Sequence, residues 1–311
     1  MQRIDEQPQS RASTWALRLA VFCAALVVVT VAFHRLFTMP TPVALNLFAL
    51  AFAGAGLALL LACVALYVTW GTGVRGGAAA IAAIAVSCGL LAWPAFFLPA
   101  VLSLPRLVDV STDIVNPPPF TRLAVLRPKG ANSPVWPGRK LAERQQAAYP
   151  DISPLYLARR PDDGLELALE ALRRQKMTIV SETRDPAGGG LIEAVERTLV
   201  LGFADDLAVR VSPDAIGSRI DVRSASRYGR HDLGRNAERA RRVLQQIVAR
   251  AQATVPVTPG ERVARARSNI AKGRGKDGKT QQVGSGRPAS TSRAERSQTR
   301  RDRQRRQDPD E

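Results

Sequence analysis

Three apolar stretches fill the first 105 residues, and nothing comparable follows them. Residues 36–74 run 39 positions without an Asp, Glu, Lys or Arg, and residues 76–105 run another 30. An earlier run from Trp15 to Phe37 is broken only by Arg18 near one end and by His34 and Arg35 near the other. A bilayer core of about 30 Å is crossed by about 20 apolar residues in a helix, which satisfies its own backbone polar groups. The pattern predicts three transmembrane helices, near 15–37, 43–70 and 78–100. The first is expected to stay as an anchor, because His34, Arg35 and Leu36 stand where a signal-peptide cleavage site would need small residues.

Basic residues flanking spans are retained on the cytoplasmic side. Arg3, Arg11, Arg18 and Arg75 gather at one side of the predicted helices, against His34, Arg35, Arg106 and Arg122 at the other. The balance places the N-terminus in the cytoplasm and everything after Arg106 on the extracytoplasmic side. Trp15 and Trp70, with Tyr67, are expected to anchor one interface. Cys23, Cys63 and Cys88 all fall in the spans, so no disulfide or thiolate metal site is expected beyond them. With His34 and His231 the only histidines, the sequence implies no metal site and no cofactor.

The chain then changes character. Residues 106–147 read as a proline-rich connector: Pro117, Pro118 and Pro119 favour a stiff extended run, and Pro128, Pro134 and Pro137 prevent long helices. Such a stretch would hold the next domain away from the lipid. Residues 148–253 read as an α+β domain. Asp163 and Glu166 have capping-box-like spacing, and Leu165, Ala168, Leu169 and Leu172 repeat with helical period up to about Gln175. Strand-like segments follow at 177–183, 191–201, 203–212 and 219–226. A last helix at 236–252 puts Ala240, Val243, Leu244, Ile247, Val248 and Ala251 on one face. The order predicts a four-stranded antiparallel sheet with two helices on one face.

From residue 254 the chain lacks apolar periodicity. Residues 256–311 carry 15 Lys/Arg against 7 Asp/Glu, nearly half the net charge of +17. This composition predicts a disordered basic tail. Its cations suit anionic envelope polymers, or nucleic acid only if the tail is cytoplasmic. Its glycine-rich pieces lack the preceding strand and following helix that a phosphate loop needs.

Candidate chemistry concentrates at 221–236 and at Asp205–Asp206. Alternation puts Ile220, Val222 and Ser224 on one face of their strand, with Asp221, Arg223 and Ala225 on the other. The preceding strand puts Leu207, Val209 and Val211 inward and Asp206, Ala208 and Arg210 outward. Two registers match these faces, one placing Arg210 opposite Asp221 and the other Asp206 opposite Arg223. Either gives a cross-strand ion pair of about 0.2–1 kcal/mol. The first is expected, because it puts Gly217 where the turn most needs a positive φ. These charges either fix strand register or form a polar binding face of Asp206, Arg210, Asp221, Arg223, Arg227 and Asp232. Ser224 or Ser226 with His231 would supply the residue types of a hydrolase triad, but neither serine has a Gly-x-Ser-x-Gly elbow. Asp205 and Asp206 face opposite sides of a strand, which argues against a shared acid–base pair.

Several of these strings form a set. Ala-Tyr-Pro-Asp-Ile-Ser-Pro-Leu at 148–155, Gly-Phe-Ala-Asp-Asp at 202–206, Val-Arg-Val at 209–211 and Gly-Ser-Arg-Ile-Asp-Val-Arg-Ser-Ala-Ser-Arg-Tyr-Gly at 217–229 are similar to domain-of-unknown-function family 1499. So are His-Asp-Leu-Gly-Arg-Asn-Ala-Glu-Arg at 231–239 and Val-Ser-Thr-Asp at 110–113. The resemblance covers about 107–250 and implies a bacterial envelope protein; the family supplies no activity and no catalytic residues. The expectation is a membrane-anchored, non-catalytic module that binds or organises unknown protein partners outside the inner membrane. A hydrolase and a tail-borne binder of anionic polymers stand as alternatives.

Overall fold

The computed structural model describes residues 9–37 and 39–254. Apart from Thr254, the basic tail expected at 254–311 lies outside the described residues. The chain opens with three long helices, α1 (Arg11–Leu36), α2 (Thr41–Thr72) and α3 (Gly77–Phe96), continued by a short α4 (Leu98–Ser103). Among the described residues three helical stretches are long and apolar enough to cross a membrane: Arg11–Leu36, Thr41–Thr72 and Gly77–Ser103. Pro94 lies inside α3, and the helix breaks at Phe97, two residues before Pro99 in the first turn of α4, which has no N–H to continue the i→i−4 ladder.

The helices meet through their smallest side chains. Ala16, Ala20, Ala58, Ala62 and Ala83 form the buried seam, while Phe22, Leu50, Leu60, Tyr67 and Trp70 point outward. Lipid tails are as apolar as leucine, so spans associate through close backbone approach rather than hydrophobic burial. At Gly54 a Cβ would stand only 2.6 Å from the Cys23 sulfur. The Cys23 side chain thus packs on the bare backbone at Gly54.

The second half is built on a meander of four long antiparallel strands, β3 (Thr178–Arg184), β4 (Gly190–Arg197), β5 (Ala204–Asp214) and β6 (Gly217–Ser226). Two short strands, β1 (Asp109–Ser111) and β2 (Leu155–Leu157), both pair with the free edge of β6. The sheet thus has six strands among the described residues, not the four expected from sequence. Three-residue strands are too short to carry a readable alternation, and their pairing comes from the edge that β6 offers. The expected register holds: Arg210 lies opposite Asp221. Gly217 takes φ 143°, and a Cβ there would fall 2.5 Å from the Leu157 carbonyl oxygen.

Helices α7 (Pro161–Arg174) and α8 (Arg235–Ala253) cover one face. Leu165, Leu169 and Leu172 from α7, and Val243 and Ile247 from α8, close over Ile192, Leu207, Val209, Ile220 and Val222. Helix α7 starts at Pro161, with Asp162 and Asp163 in its first turn and Arg173 and Arg174 in its last. That order matches the helix dipole. It ends at Arg174, and the chain turns away two residues later at Lys176, which takes φ 58°.

The stretch expected to be a spacer is instead part of the fold. Strand β1 begins six residues after α4 ends, and residues 112–136, with the one-turn helix α5 (Arg122–Leu126), lie over the second face of the sheet. Phe120 and Leu123 pack there on Val195, Ala208 and Ala225. Helix α6 (Arg139–Ala148) then leads to β2. Proline-rich backbone has few N–H donors but keeps its carbonyls, and those carbonyls find partners on the sheet.

Candidate functional site

The charged face of the sheet is the interior of a sandwich between the sheet and residues 112–136. Arg223 is 2% exposed. Its Nε and Nη2 donate to Asp109 Oδ1 and Oδ2 at 3.0 and 2.7 Å, and its remaining N–H groups reach the Pro118 and Pro134 carbonyls at 3.3 and 2.9 Å. The guanidinium lies 4.4 Å from the Phe120 ring centre and 5.4 Å from that of Trp136. A planar five-donor cation suits this position, because it bonds in its plane and stacks on its faces. Burial pushes the Asp109 carboxyl up, and Arg223 opposes that push.

Asp206 has the same treatment one strand over. It accepts from Arg127 Nε at 2.7 Å and from Arg227 Nε at 2.8 Å. Arg210 Nη2 donates to Asp221 at 2.9 Å and to Asp113 at 3.1 Å, and Arg219 bridges the same two carboxylates. Thr112 donates to Asp221 at 3.4 Å and accepts from Val222 N at 2.9 Å. Glu193 sits in the middle, 0% exposed. Its carboxylate accepts from the backbone N–H groups of Thr121, Arg122 and Leu123 and from the hydroxyls of Thr121 and Ser181, at 2.6–3.0 Å. Burial pushes its pKa up, but these five bonds outweigh burial and hold it below the usual value.

A second polar cluster lies on the helix side, where α8 meets the ends of β4–β6. Arg239 binds Asp205 at 2.6 Å and also pairs with Glu196. Ser224 Oγ donates to Asn236 Oδ1 at 2.8 Å and accepts from Arg239 Nη1 at 2.8 Å. Asn236 Nδ2 donates to Ser226 Oγ and to the Val108 carbonyl, both at 3.1 Å. Asp232 holds the start of α8 through the N–H groups of Gly234 and Asn236, at 2.9 and 3.0 Å. Burial raises its pKa against those bonds.

The structure thus joins Arg210 with Asp221 and Asp206 with Arg227, pairs Arg223 with Asp109, and leaves Asp232 apart at the foot of α8. It does not assemble the triad types: both serines bond to Asn236, while His231 Nδ1 accepts from Leu233 N at 3.0 Å. Asp205 and Asp206 do face opposite sides, one toward Arg239 and the other toward Arg127. Among the described residues no group of three or more His, Cys, Asp or Glu is placed to hold a metal ion. An open groove of about 330 Å³ borders the layer, lined by Pro119, Thr183, Gly190, Arg210 and Pro213 among others.

Sequence reasoning missed Asp109, Glu193 and Arg239. Glu193 carried a usable signal, an acid placed between Ile192 and Ala194 in a strand. Asp109 did not, since its partner lies 114 positions away.

No curated protein matches the chain. The model of a family described as protein of unknown function (DUF1499) matches residues 109–247, from β1 through most of α8, so the stretch of this chain that resembles that family is the one that forms the sheet and the layer over it.

Proposed function

We propose that this chain is a membrane-anchored module of the bacterial envelope that binds or organises another component outside the inner membrane and carries out no catalysis. One observation supports this reading above the others. The carboxylates and guanidiniums of the sheet face are already bonded to one another inside the fold. On this reading the pairs serve to hold residues 112–136 on the sheet. The hydroxyls and imidazole that a hydrolase would use are engaged by different neighbours. The outward placement draws on Arg3, Arg11, Arg18 and Arg75 at the other end of the helices. Outside, the tail after residue 255 would meet anionic envelope polymers; inside, it would meet nucleic acid or the anionic leaflet.

Reporter fusions after Gly76 and after Gln252 test the placement. Alkaline phosphatase active after Gln252 and inactive after Gly76 is the expected result. A fluorescent protein bright after Gln252, with phosphatase silent there, would put the domain in the cytoplasm and move the nucleic-acid reading of the tail ahead. For the absence of catalysis, His231→Ala and Ser226→Ala chains should complement a deletion strain as the parent does. Loss of complementation with normal protein levels would revive the hydrolase.

A further inference from the structure

We infer that the β4–β5 loop, residues 198–203, is a second lipid contact: it lays Leu199 and Val200 into the interfacial zone of the bilayer that α1–α3 cross. The inference rests on those helices spanning a bilayer, and not on which side the domain lies.

The loop reads Thr-Leu-Val-Leu-Gly-Phe, and Leu199 is 84% exposed with Val200 at 48%. It is closed tightly, with Thr198 N donating to the Phe203 carbonyl at 2.8 Å and Gly202 N to the Thr198 carbonyl at 3.0 Å. The other hairpin turns of the meander, at 185–189 and 215–216, lie at the opposite end of the sheet and contain Asp, Pro, Gly and Ala with one exposed Ile216. An apolar tip is therefore particular to the end that faces the helices.

Its depth is fixed by what holds it. His34 and Arg35 occupy the last turn of α1. His34 Nδ1 lies 2.6 Å from the Leu201 carbonyl oxygen and Nε2 lies 3.0 Å from Thr41 Oγ1 at the start of α2. Arg35 donates to the Thr198 carbonyl at 3.3 Å and to the Leu199 carbonyl. The Phe203 ring meets His34 edge-on, with centres 5.2 Å apart. Basic side chains at the end of a span sit at the headgroup level, where they keep contact with water while their stems stay in lipid. Carbonyls bonded to them share that level. Around them Phe33, Leu36, Phe37 and Val43 are exposed and apolar, as are Phe96 and Leu102 at the end of the third span. Leu199 and Val200 extend this ring, and a bilayer is the one surface that already covers the rest of it.

The test uses the full chain with Cys23, Cys63 and Cys88 replaced by Ala, reconstituted into phosphatidylcholine–phosphatidylglycerol vesicles. Single cysteines at Leu199, Ile216 and Leu60 carry a nitroxide label. Collision with oxygen, which partitions into lipid, is compared with collision with a water-soluble nickel chelate. The label at 199 should favour oxygen several-fold relative to that at 216, and the label at 60, on the outer face of α2, should favour it most. Water accessibility at 199 equal to that at 216, with 60 in lipid, would overturn the loop's assignment while leaving the spans intact. A label at 199 shielded from both agents would assign the tip to a protein partner and overturn it too. A water-accessible label at 60 would remove the spanning helices on which the inference stands. Leu199 packs into no core, so its replacement leaves the fold in place.

Discussion

Arg223→Met removes the cation that fastens residues 112–136 to the sheet. Four hydrogen bonds are lost, two of them to Asp109, along with the stacking between Phe120 and Trp136. Asp109 is itself 3% exposed, so its carboxylate is left in a dry site without a counter-ion. Breaking a buried pair from one side costs about 3–5 kcal/mol, a fifth or more of a stability of about 5–15 kcal/mol. Removing both charges should cost less. In Asp109→Leu with Arg223→Met no charge is stranded, and the remaining penalty of about 1–3 kcal/mol comes from the Pro118 and Pro134 carbonyls that lose a donor. Urea unfolding of the full chain in detergent, followed by near-ultraviolet circular dichroism, measures Arg223→Met, Asp109→Leu and the double variant against the parent. The single-charge variant should also lose more at pH 8 than at pH 5. An orphaned Asp109 has a raised folded-state pKa, so its contribution is present at low pH and lost as pH rises through that value. A double variant whose cost equals the sum of the two singles would refute the argument, because it would mean no coupling between Asp109 and Arg223.

Two further outcomes follow from the same layer. Glu193 has a folded-state pKa below its unfolded value of about 4.3, so the unfolded chain binds more protons between the two and stability falls as acid passes through that window. Glu193→Gln should flatten the acid limb of melting temperature against pH and cost about 1–3 kcal/mol at pH 7, since an amide N–H₂ then faces the α5 donors; an unchanged limb would count against it. Gly217→Ala forces a side chain to φ 143° and onto the Leu157 carbonyl oxygen, which should cost about 1–3 kcal/mol; Gly71→Ala, with nothing within 4 Å, serves as the comparison and should leave the melting temperature unchanged.

The three apolar helices were readable because their signal is local: about 20 consecutive residues decide by their own composition whether they suit lipid. The Arg210–Asp221 register was readable for a related reason, since a two-residue turn and strict alternation leave few pairings to choose from. The final two helices carried their 3.6-residue period plainly. Strands β1 and β2 did not, because three residues show no period and their partners lie some 60 to 115 positions along the chain. The proline-rich stretch illustrates the same limit. Its composition says only that it is extended and short of donors; that Pro118 and Pro134 present their carbonyls to Arg223 is decided by where the sheet places that side chain. A charged strand face looks identical in sequence whether it meets water or another layer of protein. Burial is a property of what lies across from a residue, so only the tertiary structure could turn Asp206, Arg210, Asp221 and Arg223 from a candidate binding surface into the seam that holds two layers together.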